Sequence, residues 1–171
     1  LTSARIESTV GDSEVTALTV GAKLETLELA GDETLSVGAI AGSAGLKTID
    51  ASENTASVSV TDTGTDLNAL TSFIGSAGDD TFTPGGSIFA AAAEIDMGAG
   101  DDTVTIGAIQ TSDVTINAGE GSDTGDLGNF QHTGASSVDL DAAEGVMNSH
   151  GERRAHSNRR ERAGSAHSRS W

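Results

Sequence analysis

The chain has 171 residues, 22 of them glycine, with no cysteine, no tyrosine and a formal net charge of −17. No disulfide framework can brace it, and aromatics at 3% leave little for a bulky core. So acidic a body excludes the basic surface that nucleic acid requires, and no stretch reaches the roughly 20 apolar residues of a membrane-spanning helix.

In chain order, apolar anchors recur at Ile6, Leu27, Ile49, Phe73, Ile95, Ile116 and Leu140. Similar phrases surround them: LETLELAGDETL from Leu24, LKTIDASENTASV from Leu46, LTSFIGSAGDDTF from Leu70, EIDMGAGDDTV from Glu94, VTINAGEGSDTG from Val114 and VDLDAAEG from Val138. Each is a short apolar strand, a small-residue acidic turn and, in most copies, a second short strand. A period near 22 residues is too short for a globular domain but suits one turn of a solenoid. A single coil cannot bury its apolar face, whereas stacked coils bury a continuous column. The expected fold is therefore all-β: a right-handed parallel β-solenoid of about seven coils over residues 1–146. An antiparallel β-sandwich is the alternative.

Three turns stand out, at 75–83 (GSAGDDTFT), 97–105 (MGAGDDTVT) and 118–126 (AGEGSDTGD). Glycines at fixed offsets let the backbone turn tightly with carbonyls inward. The carboxylate that follows supplies the hard oxygen that calcium prefers. The candidate metal residues are Gly78, Asp79 and Asp80, then Gly100, Asp101 and Asp102, then Gly121 and Asp123. Phe82 and Val104 should point into the core just beyond them. Carboxylates on adjacent coils, roughly 5 Å apart, would repel by about 3 kcal/mol at an effective dielectric of 20, and a divalent ion between them removes that penalty. The segment AGDET at 30–34 aligns with AGDDT at 77–81, but with Asp32 and Glu33 in poorer glycine framing. These two, with Asp12 and Glu53, read as a solvated face.

Residues 1–150 carry 24 acidic and 3 basic groups, and residues 151–171 carry 2 and 6. From Met147 the text is rich in Arg, His and Ser and loses its apolar period. The segment 147–171 reads as a basic, disordered tail, vector-derived or out of frame. The chain begins at Leu1 with no signal peptide, which reads as a fragment or a processed piece.

The three glycine-acid turns resemble the RTX nonapeptide G-G-x-G-x-D-x-U-x, whose loops bind calcium between stacked coils. Ser76, Met97 and Ala118 stand where that pattern has glycine, and Gly125 where it has a large apolar residue. The copies recur every 21–22 residues rather than every nine. The longer coils are similar to the β-solenoid regions of bacterial surface-layer proteins and of type I-secreted surface proteins. The resemblance implies Ca2+ as cofactor, an extracellular or cell-surface location, and a structural module that self-associates or meets a surface glycan. An adhesive or ice-binding face is the alternative function, marked by the Thr61/Thr63, Thr81/Thr83 and Thr103/Thr105 pairs. An accessory segment of a larger secreted enzyme is another. Catalysis is not expected: the body has no tyrosine, no histidine before His132, and only Arg5, Lys23 and Lys47 as bases.

Overall fold

The computed structural model describes residues 1–107 and 112–126, and the backbone of 137–139. The segment 147–171 lies outside the described residues. Among the described residues, thirteen strands alternate between two parallel sheets. The first sheet stacks β1 (Ser3–Ser8), β3 (Thr26–Gly31), β5 (Thr48–Asp50), β7 (Ser72–Ile74), β9 (Ala93–Asp96), β11 (Val114–Asn117) and β13 (Ser137–Asp139) in chain order. The second stacks β2 (Ser13–Thr19), β4 (Leu35–Ala41), β6 (Val58–Thr61), β8 (Thr81–Thr83), β10 (Thr103–Thr105) and β12 (Thr124–Asp126). Every pairing is parallel, between strands two apart in sequence, which is the topology of a β-solenoid. The chain completes five turns from β1 to β11, and β13 supplies the seventh strand of the first sheet. No helix is present among the described residues.

The alternation within each strand sets the two faces. In β5, β7, β8 and β10 the central residue is buried and its neighbours are partly exposed. Strands this short have one inward side chain each, so the core is assembled across coils. One column runs Leu27, Ile49, Phe73, Ile95, Ile116. The facing column runs Val15, Val37, Val60, Phe82, Val104, Gly125. The Phe73 and Phe82 rings stack across the core with centroids 4.1 Å apart, a contact worth about 0.5–1.5 kcal/mol beyond its buried area.

The expected anchors are in register over the middle coils and slip at the ends. Leu27 pairs with Ala4, so Ile6 is the neighbour of Leu29, two residues along the strand. Ile116 pairs with Val138, and Leu140 lies outside the described residues. Two residues is one strand period, so Ile6 still shares a face with its expected partners. That is why periodicity alone could not detect the slip.

Candidate metal centre

The turns from the first sheet to the second form one edge of the stack. There Ser59, Thr81, Thr103 and Thr124 pair in register. The residues immediately before them are Val58, Asp80, Asp102 and Asp123, and Leu35 pairs with Val58. One inward position is thus Ser13 in the first coil, aliphatic in the next two (Leu35 and Val58) and aspartate in the later three. The aspartates are as buried as the aliphatics, at 1%, 1% and 2% exposure for Asp80, Asp102 and Asp123. Phe82 and Val104 point into the core two residues on, as expected.

The column is knitted by its own carboxylates. The Val58 amide donates to Asp80 Oδ1 at 2.7 Å, the Asp80 amide to Asp102 Oδ1 at 2.8 Å, and the Asp102 amide to Asp123 Oδ1 at 3.0 Å. Each carboxylate therefore satisfies a backbone N–H of the preceding coil where the chain leaves the sheet ladder. That uses one oxygen of each.

The second oxygen distinguishes the coils. Asp80 is closed by Ser76: the amide of Ser76 donates to Asp80 Oδ2, and its hydroxyl lies 2.6 Å from Asp80 Oδ1. The places of Ser76 in the next two coils are held by Gly98 and Gly119, which bring no hydroxyl to Oδ1 and whose backbone amides are not bonded to Oδ2. There Asp102 Oδ2 and Asp123 Oδ2 are buried and have no hydrogen-bond partner. Burial pushes the Asp102 carboxyl up to about 7. The Asp80 N–H bond opposes the rise, and the neighbouring charges of Asp80, Asp123 and Asp79 add to it. Burial also raises Asp80, offset chiefly by the Ser76 hydrogen bonds.

The glycines have a packing reason of their own. A Cβ on Gly119 would stand 1.8 Å from the Gly98 carbonyl oxygen, and one on Gly121 1.9 Å from that of Gly100. Gly100 likewise sits over Gly78, where a Cβ would be 2.6 Å from its carbonyl. Gly98, Gly100, Gly119 and Gly121 all have positive φ. Coil stacking therefore demands these glycines whether or not a metal is bound, so the glycines do not by themselves indicate an ion.

Of the expected site residues, the structure brings Asp80, Asp102 and Asp123 into one buried column and stacks Gly78, Gly100 and Gly121 beside it. Asp79 and Asp101 are exposed and form an outer ladder instead. The Asp101 amide donates to Asp79 Oδ1 at 2.8 Å, and the Ser122 amide to Asp101 Oδ1 at 2.9 Å. Among the described residues, no three acidic or histidine side chains converge on one point. An ion at this edge would meet one or two carboxylates and draw its other ligands from peptide carbonyls and water, which calcium accepts. Were an ion to bind at this edge, the two orphaned oxygens would be open to it, whereas both oxygens of Asp80 already accept hydrogen bonds.

Asp32 is exposed, and the inward position of its coil is filled by Leu35. Leu35 shares a register row with Val58 and lies one place before Ser36, which pairs with Ser59. The proposed alignment of 30–34 with 77–81 is thus displaced by two residues. Two structural features are not evident in the sequence. The Ser76 hydroxyl beside Asp80 is one, visible there only as a departure from the glycine pattern. The buried Asp62 on the opposite edge is the other. No protein family matches this chain, and no curated protein or solved structure is detectably similar to it.

Proposed function

We propose that this β-solenoid is a structural module of a secreted bacterial surface protein, stiffened by calcium at the edge that carries Asp102 and Asp123. The observation that supports it is the pair of buried, unpartnered oxygens, Asp102 Oδ2 and Asp123 Oδ2. An ionised carboxylate with one bare oxygen inside a protein costs several kcal/mol. A cation beside such oxygens offsets that cost, and calcium is the hard cation plentiful outside cells. Self-association into a layer or matrix and a non-catalytic role complete the reading. The test is thermal melting of the full chain, followed by circular dichroism, in chelator and in millimolar calcium. A ligand at a hundred times its dissociation constant adds about 2.7 kcal/mol per site. A melting temperature indifferent to calcium at pH 8 would overturn the calcium reading.

A second reading rests on the outer face of the second sheet. Ser36, Ser59, Thr81, Thr103 and Thr124 form one row in register, and Thr61 and Thr83 a second beside it, continued by Thr105. Such hydroxyl rows, spaced about 4.8 Å along the stack, suit adhesion to a regular surface such as ice or a glycan. Gly38 and Asp126 interrupt the second row at its two ends. Loss of ice or glycan binding on Thr83→Lys, with calcium response intact, would identify this face as the working one.

A further inference from the structure

The turns that return from the second sheet to the first form the opposite edge of the stack, and one of them holds a buried carboxylate that the aspartate column does not account for. Asp62 follows β6 directly and is 2% exposed. Its Oδ1 accepts a long hydrogen bond from the Ile40 amide, 3.3 Å, and its Oδ2 has no partner. Four residues on, Asp66 is exposed to solvent. Between them Gly64 leaves its side-chain position open. The point where a Gly64 Cβ would stand lies 3.0 Å from Asp66 Oδ2 and 3.6 Å from both oxygens of Asp62.

The backbone of this loop is pinned by its neighbours. The Asp62 amide donates to Thr83 O at 2.8 Å, and Gly64 O accepts from the Gly86 amide at 2.9 Å. The Ser43 hydroxyl donates to the Asp66 carbonyl. Two carboxylates are thus held toward one small space before any ligand arrives, one bare and buried, the other open to solvent. Among the described residues no ion pair reaches either carboxylate: Arg5 pairs with Glu7 and Glu53, Lys47 pairs with Glu25, and Lys23 forms no ion pair with them.

We propose that the loop 62–66 is a second cation site, taking a hard divalent ion such as calcium between Asp62 and Asp66, independent of the Asp102/Asp123 edge. Asp66 is the entry ligand and Asp62 the inner one. Carbonyl and water oxygens complete the shell, because two carboxylates alone fall short of the six to eight that calcium takes.

The test is equilibrium dialysis of the full chain against radioactive calcium at about 10 mM, roughly tenfold above the weak end of extracellular sites. Asp66→Asn changes an exposed side chain and should leave the fold intact. The expected result is one fewer bound ion per chain in D66N than in the wild type, with the ions lost in D102N counted separately. A failure of the aspartate column would appear as an unchanged count in D102N, and leaves the D66N result to stand by itself. An unchanged count in D66N overturns the second site. A second measurement guards against a misfolded variant. Manganese added to the wild type should broaden the amide resonances of Thr63, Gly64 and Thr65, and sharp signals there would also overturn the proposal.

Discussion

Replacing Asp102 by Asn separates the charge of the column from its hydrogen bonding. The amide oxygen of Asn can still accept the Asp80 N–H that Asp102 Oδ1 accepts at 2.8 Å. What disappears is the ionised group whose second oxygen has no partner. The rise of the Asp102 carboxyl from 3.8 to about 7 corresponds to at most about 4 kcal/mol of destabilisation in the ionised form at pH 8. The buried amide NH2 that replaces the bare oxygen costs about 1–3 kcal/mol if it finds no acceptor. The net expectation is a gain of about 2 kcal/mol in chelator at pH 8. For a chain of this size that is a rise of about 4–8 °C in melting temperature. At pH 5 the wild-type carboxyl is already protonated in the fold, so the advantage should shrink. In millimolar calcium the order should reverse, because the variant has lost a ligand. Differential scanning calorimetry under the three conditions gives the answer. A D102N chain that melts below the wild type in chelator at pH 8 would refute the reasoning, since the ionised carboxylate would then need no cation.

The pH response of the wild type follows from the same group. Its folded pKa lies above the unfolded value, so the fold binds the extra proton between about 3.8 and about 7. Stability in chelator should therefore fall as pH rises through that window, with a shallower slope in D102N, as urea melts at pH 4.5, 6 and 8 would show. Ser76→Gly removes the hydroxyl beside Asp80 Oδ1 but keeps the backbone amide that Oδ2 accepts from, so it should lower stability in chelator by about 0.5–1.5 kcal/mol and leave the calcium-induced rise as in the wild type; an enlarged calcium response would contradict closure of Asp80 Oδ2 by that amide. Gly119→Ala should cost well over 2 kcal/mol, from a clash 1.8 Å from Gly98 O at φ 89°, while Gly21→Ala, with nothing within 4 Å, should be neutral or slightly stabilising. Chemical denaturation of the two variants compares them directly.

The middle of the fold was legible because it is built from the one signal a sequence displays without ambiguity, repetition. Leu27, Ile49, Phe73, Ile95 and Ile116 occupy equivalent strand positions, and Asp80, Asp102 and Asp123 equivalent turn positions, so spacing alone put them in columns. At the first coil the spacing is 23 residues along the register, Ala4 to Leu27, and the small Ala4 gives no apolar mark. Ile6, two places on, is the more conspicuous residue and drew the alignment. The same slip displaced AGDET, because its acidic letters matched while its inward residue, Leu35, did not. Asp62 was hidden for a different reason. Its burial depends on a loop packed between Ile40 and Thr83, residues 22 and 21 positions away, and a single T-D-T-G-T-D phrase has no second copy to reveal it. The glycines were legible too, and the structure adds a packing reason: backbone atoms of a neighbouring coil occupy their side-chain space, which stacking requires with or without an ion.

A crystal structure of the full chain grown in millimolar calcium, with anomalous differences collected to locate the ions, decides whether calcium occupies the aspartate edge. Ions are expected within about 2.3–2.6 Å of Asp102 Oδ2 and Asp123 Oδ2, none on Asp80 Oδ2, with the Ser76 amide still bonded to that carboxylate. Carboxylates at Asp102 and Asp123 that remain buried beside no ion in such crystals would contradict the calcium reading.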